Sequence, residues 1–103
     1  MKKTTKAAKP HFTMGEQVTT PGALEALEAA GVDPSELLSR HMAGDWGDLD
    51  EDDRLANDDA VKDGEEILST YTLSTGVEVY IVTDAADDRG SRATTRILLM
   101  DEY

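Results

Sequence analysis

The chain has 103 residues, 22 acidic against 10 basic, and a formal charge of −12, which fits one compact domain and leaves no room for a second. It has no cysteine, which excludes disulfides, iron–sulfur clusters, thiolate zinc sites and cysteine nucleophiles and makes a cytoplasmic setting the expectation. Hydrophobic residues are 39% and aromatics 5% of the chain, so the composition supports a single, economical core.

Residues 1–12 read as a disordered polar leader carrying Lys2, Lys3, Lys6 and Lys9, with Pro10 opposing a helix, and 13–103 as a single acidic domain. Met14 to Thr20 reads as a short strand or extended arm. Thr20 then caps a helix over 21–30: Pro21 occupies its first turn, Leu24, Leu27 and Ala30 recur at a spacing of three, and Gly31 ends it. Asp33-Pro34-Ser35-Glu36 combines an acidic cap, a proline at the first helical position and a glutamate at the third, so a second helix follows. Leu37, Leu38, His41 and Met42 form its apolar face, and Gly44 stops it. After the tight connection Asp45-Trp46-Gly47-Asp48, the capping-box spacing of Asp48 and Glu51 predicts a third helix over about 49–63, closed by Gly64. Its apolar stripe is thin, with Leu49, Ala56 and Ala60 on one side and Leu55 and Val61 at the edges.

Three runs rich in β-branched and aromatic residues come next, Ile67 to Leu73, Val77 to Thr83 and Thr94 to Met100. Ser74-Thr75-Gly76 supplies a hairpin turn between the first two, and Asp84 to Ala93 is a longer loop. Helices first and strands afterwards predict an α+β fold, with two to three N-terminal helices on one face of a small three- or four-stranded antiparallel sheet.

The charge is unevenly placed. Beyond the four leader lysines, 22 acids face 6 bases, a net of −16, and from Asp45 to Glu66 there are 11 acids against only Arg54 and Lys62. Such a field repels phosphate backbones, so direct nucleic-acid binding is not expected. No apolar run approaches the roughly 20 residues of a membrane span, and the basic start lacks the apolar stretch of a secretory signal.

The assembled pattern is Gly44-Asp45-Trp46-Gly47-Asp48, Asn57-Asp58 with Ala60, Tyr71, Tyr80-Ile81-Val82-Thr83, Arg92, Thr94-Thr95, Ile97-Leu98-Leu99 and a final Glu102-Tyr103. It resembles a family of small bacterial proteins of plasmids, prophages and genomic islands, labelled plasmid-related or as restriction–modification subunits. The resemblance runs from about Met14 to Tyr103, and it differs in the lysine-bearing leader and in the acidic loop near Asp84 to Gly90. It implies a mobile-element setting, including conflict with host defence, and no particular reaction.

Several constellations bear on chemistry. Asp48 to Asp59 places acids where a calcium loop has ligands, but Asp53 stands where the sharp turn needs glycine and Asp59 where a bidentate glutamate is needed, so an acidic helix start is the better reading. Trp46 is either an exposed binding anchor or a principal core residue, and the scarcity of large apolar groups favours core. His41, with Asp45 four residues on and Asp48 beyond it, could form an acid–base pair with a carboxylate, but it reads better as a partly exposed helix-end histidine favoured by the dipole. No nucleophile elbow, phosphate-cradling loop or histidine metal pair is present, so neither catalysis, a metal nor a cofactor is expected. Arg92 and Arg96 would clamp an anionic ligand or, more simply, form ion pairs with the Asp45 to Asp59 region.

Two functions follow. The first is a non-catalytic module whose Asp48, Asp50, Glu51, Asp52, Asp53, Asp58 and Asp59 imitate a nucleic-acid backbone and occupy a basic, nucleic-acid-binding protein, such as a restriction or CRISPR effector. The second is an accessory or small-ligand regulator with a pocket formed by Trp46, Arg92, Thr94 and Tyr103. The plain alternative is an acidic domain with no charge-specific partner.

Overall fold

The computed structural model describes residues 12–103, so the leader expected over 1–12 lies outside the described residues except for Phe12. In chain order it has β1 (Glu16–Thr19), α1 (Pro21–Ala30), α2 (Pro34–Met42), α3 (Glu51–Asp63), β2 (Ile67–Thr72), β3 (Glu78–Thr83), β4 (Thr94–Leu98) and a 3-10 turn (Met100–Glu102). This is the expected α+β fold. The four-stranded sheet, in the order β1-β4-β3-β2, is mixed rather than antiparallel, because β1 runs parallel to β4. A short hairpin forces antiparallel pairing, as between β2 and β3, whereas β1 and β4 meet from opposite ends of the chain and no turn sets their direction.

Local signals place the first two helices. The Thr20 hydroxyl accepts from the Ala23 N–H at 3.3 Å, the Asp33 carboxylate accepts from the Ser35 N–H at 2.9 Å, and Gly31 ends α1 at φ 71°. The third helix corrects the sequence reading. Its cap is Asp50, which accepts from the Asp53 N–H at 2.9 Å, and the Asp48 carboxylate instead accepts from the Thr72 N–H at 2.7 Å. The stripe is corrected too: Ala56 is exposed, and Asn57 and Ala60 are the residues that α3 buries.

Strand alternation divides the sheet into two faces. Ile67, Ser69, Tyr71, Val79, Ile81, Thr83, Thr95 and Ile97 share the inner face. Ala23 and Leu27 of α1 and Leu37 and Leu38 of α2 pack with Met14 and the middle of this face, while Trp46 and Ala60 pack around Ile67. Phe12 touches both clusters. The outer face carries Leu68, Tyr80, Val82, Arg96 and Leu98, and the 3-10 turn rests against β3. Glu102 ties that turn to the start of α1 by accepting from the Thr20 hydroxyl and from the Gly22 N–H at 3.0 Å.

β2 ends the sheet, yet its outward main-chain groups are occupied. The Asn57 side-chain amide donates to the Leu68 carbonyl and accepts from the Leu68 N–H at 3.2 Å. The Thr70 N–H donates to the Trp46 carbonyl at 3.2 Å, the Asp48 N–H donates to the Thr70 carbonyl at 2.7 Å, and Asp48 takes the Thr72 N–H. The Gly44 to Asp48 segment is therefore a short false strand laid against β2. The Tyr71 hydroxyl pins it by donating to the Asp45 carbonyl at 2.7 Å, and Arg40, paired with Asp45 at 2.7 Å, lies 4.6 Å over the Tyr71 ring. Gly47 sits at φ 76°, and a Cβ there would fall 1.9 Å from the Thr70 carbonyl oxygen.

Gly47 and Gly76 thus separate two effects. Gly76 also has positive φ, at 91°, but a Cβ there meets nothing within 4 Å. Gly76→Ala is expected to cost about 1 kcal/mol from backbone strain alone, and Gly47→Ala about 3 kcal/mol or more. Urea unfolding of both variants measures the difference, and equal costs would show that the contact with β2 does not hold the turn.

Candidate functional site

The acidic surface is built on α3 and the turn before it. Asp48, Asp50, Glu51, Asp52, Asp53, Asp58 and Asp59 are all exposed and lie on α3 or immediately before it. Their roles differ. Asp48 and Asp50 hold main-chain N–H groups, as above, and Asp58 accepts from the Trp46 indole N–H at 3.0 Å. Glu51, Asp52 and Asp53 lie in the first turn of α3, where the helix dipole favours them. Asp59 and Asp63 stand toward the negative end, where the same dipole opposes them, and neither has a hydrogen-bond or ion-pair partner among the described residues. Of the two bases on α3, Lys62 lies beside Asp63 in the last turn but forms no ion pair among the described residues, and Arg54 spends its guanidinium on the Leu49 and Gly47 carbonyls, both at 2.8 Å.

The second set of residues does not form one pocket. Trp46 is 4% exposed and belongs to the core, stacked on Phe12 at 6.2 Å. Arg92 is 5% exposed and donates to the carbonyls of Glu65 at 2.7 Å, Asp84 at 3.0 Å and Ala60 at 3.1 Å. It closes the C-terminal end of α3, which carries partial negative charge, so it satisfies backbone carbonyls rather than the expected carboxylates. Burial pushes its guanidinium below the usual range. Arg96 is likewise not paired with the Asp45 to Asp59 region but reaches Asp84 at 3.7 Å. Thr94 donates to Asp84 at 2.7 Å, and the exposed Tyr103 donates to Glu66 at 3.1 Å. A cavity of about 290 Å³ lies between the end of α3 and the loop after β3. Phe12, Lys62, Ala86 and Arg92 help line it, and Trp46, Thr94 and Tyr103 do not.

His41 is the largest correction. It is wholly buried rather than partly exposed, on the inner face of the sheet between Phe12 and Trp46, whose rings meet it edge-on at 5.3 and 5.7 Å. Its Nδ1 bonds the Ser69 hydroxyl and its Nε2 the Thr83 hydroxyl at 2.8 Å. Thr83 meets the Thr95 hydroxyl at 2.7 Å, and Thr95 donates to the Met14 carbonyl at 2.8 Å. The Met14 carbonyl can only accept, so Thr95 must accept from Thr83 and Thr83 from His41 Nε2–H. Burial keeps the imidazole neutral, so with its proton on Nε2 its Nδ1 accepts from Ser69. Ser69 and His41 resemble a nucleophile and its base, but both are fully buried, and no substrate reaches them from solvent.

Among the described residues no group of three or more histidine or carboxylate side chains gathers as a metal site, and no helix is long and apolar enough to cross a membrane. Comparison with known families, with characterised proteins and with solved structures finds no match to this chain.

Burial, with repulsion from Arg92 as a lesser cause, lowers the His41 pKa to about 4 from an ordinary value of 6.5. The unfolded chain takes up a proton near the ordinary value and the folded one only near the lower, so the stability held above the ordinary value is lost as pH falls through that window. The loss is about 3 kcal/mol at about 1.4 kcal/mol per unit. Urea unfolding of the parent and of His41→Gln between those two pH values checks it: the parent's extra loss should vanish in the variant. Parallel pH profiles would contradict a buried neutral imidazole.

Proposed function

We propose that this domain is a non-catalytic protein-binding module that presents α3 to a basic surface, in the manner of a nucleic-acid strand. One observation carries the reading: Asp59 and Asp63 stand toward the negative end of α3 with no hydrogen-bond or ion-pair partner among the described residues, so the contacts of the described fold do not account for them. Like charges crowded on one helix cost stability, and a cationic partner would return it. The spacing is suitable. Glu51, Asp52, Asp53, Asp58, Asp59 and Asp63 lie along the 13 residues of α3, about 20 Å at the helical rise, or one charge per about 3 Å, close to that of a single nucleic-acid strand.

The partner would then be a protein whose own ligand is nucleic acid. The resemblance to proteins of plasmids and prophages makes a restriction or CRISPR effector the first kind to test, in a cytoplasmic setting. An accessory role with a small ligand is the second reading, favoured by the cavity at the end of α3.

Replacing Glu51, Asp52, Asp53 and Asp59 by their amides leaves the Asp50 cap and the Asp58 bond to Trp46 intact. Against a purified partner isolated by pull-down at low salt, this variant should bind at least about tenfold more weakly, and the parent's affinity should fall steeply with salt. A partner that binds parent and variant alike, or is indifferent to salt, would overturn the reading.

A further inference from the structure

The two ends of the sheet are treated in opposite ways. β2 is closed along its length, whereas β1 is the other end, and its pairing with β4 uses only one of its sides. The Glu16 N–H donates to the Ala93 carbonyl and the Thr20 N–H to the Ile97 carbonyl, both at 2.9 Å, and the parallel register directs the Val18 N–H to the Thr95 carbonyl by the same alternation. The main-chain N–H and C=O of Gln17 and Thr19 therefore face outward. The strand holds neither proline nor lysine, its register is unbroken from Glu16 to Thr19, and Val18, between two residues whose main chain has no partner among the described residues, is 41% exposed.

We propose that β1 is a docking edge that takes an extended, basic segment of the partner protein as a fifth strand. Main-chain bonds to Gln17 and Thr19 would supply affinity, and the side chain opposite Val18 would be apolar. Charge selects the basic occupant. Glu16 stands at one end of the edge, and Glu102 meets Thr20 at the other with Asp101 beside it. Glu25 and Glu28 are exposed on the helix that follows. The one arginine in the ladder, Arg96 across from Val18, is engaged by Asp84. This inference rests on the reading of a basic partner but uses a surface separate from α3.

The test uses the whole chain and a short synthetic peptide alternating lysine and valine, with a glutamate-for-lysine peptide as control, followed by amide hydrogen exchange. The lysine peptide should slow exchange at Gln17 and Thr19, and the glutamate peptide should not. Gln17→Pro removes an N–H that faces solvent and spares the bonds to β4, so the fold should persist while the peptide binds at least about tenfold more weakly. Gln17→Ala should bind within about twofold of the parent. Should the proline variant lose the sheet, exchange in the parent still decides. Protection confined to α3, with Gln17 and Thr19 exchanging freely, would overturn the docking edge and leave the α3 reading standing. Protection of β1 that survives neutralisation of α3 would support the edge as a surface separate from α3. A dimer of the chain alone that protects the same two amides would overturn the choice of occupant.

Discussion

The outer side of β2 is the constraint on which the other features depend. An edge strand normally exposes a row of main-chain donors and acceptors, and here Asn57, the Trp46 and Asp48 main chain and the Asp48 carboxylate take that row in turn. Three consequences follow from the one closure. Asn57 fixes the rotation of α3, so that its carboxylates face outward and Ala60 faces the core. The turn carries Trp46 inward, where it covers Ile67 and joins Phe12 and His41. The chain reaches β2 so closely that only glycine fits at Gly47. The Gly44 to Asp48 motif is thus architectural, and it positions the acidic helix.

A second tie runs through the core. The inner face would be a plain apolar sheet but for Ser69, Thr83 and Thr95, and His41 joins these hydroxyls into one directed chain ending on the Met14 carbonyl. Each polar group of this relay has its partner, so it links α2, all three core strands and the entry to β1 with no unmet donor among its members. Arg92 does the corresponding work at the end of α3, where three carbonyls share one guanidinium. In a molecule with few aromatic residues, such polar ties replace part of the missing apolar bulk.

Much of this fold was legible because its signals are local. Thr20-Pro21 and Asp33-Pro34-Ser35-Glu36 act within one helical turn, and Ser74-Thr75-Gly76 acts between adjacent strands, so nothing distant overrides them. Asp48 misled because its carboxylate had two uses, and the distant Thr72 N–H claimed it over the helix start. The direction of β1 is set by pairing with β4 and carries no local mark. The His41 chain did leave a signal: Ser69, Thr83 and Thr95 occupy inward positions by alternation within apolar strands, and buried hydroxyls call for a polar partner from the apolar face of a helix. Of the candidate site, the carboxylates of α3 were plain from composition, but which of them serve the fold depended on contacts that only the folded chain makes.

Residue-resolved hydrogen exchange under native conditions tests the account most directly, because it compares the two sheet edges within one molecule. The amides of Leu68, Thr70 and Thr72 face away from β3, yet are bonded to Asn57, Trp46 and Asp48, and are predicted to exchange only with global unfolding. Those of Gln17 and Thr19, with the same outward setting and no partner among the described residues, are predicted to exchange as freely as exposed loops. Free exchange at Leu68, Thr70 and Thr72 would contradict the closure of β2, and with it the placement of α3 and the core position of Trp46.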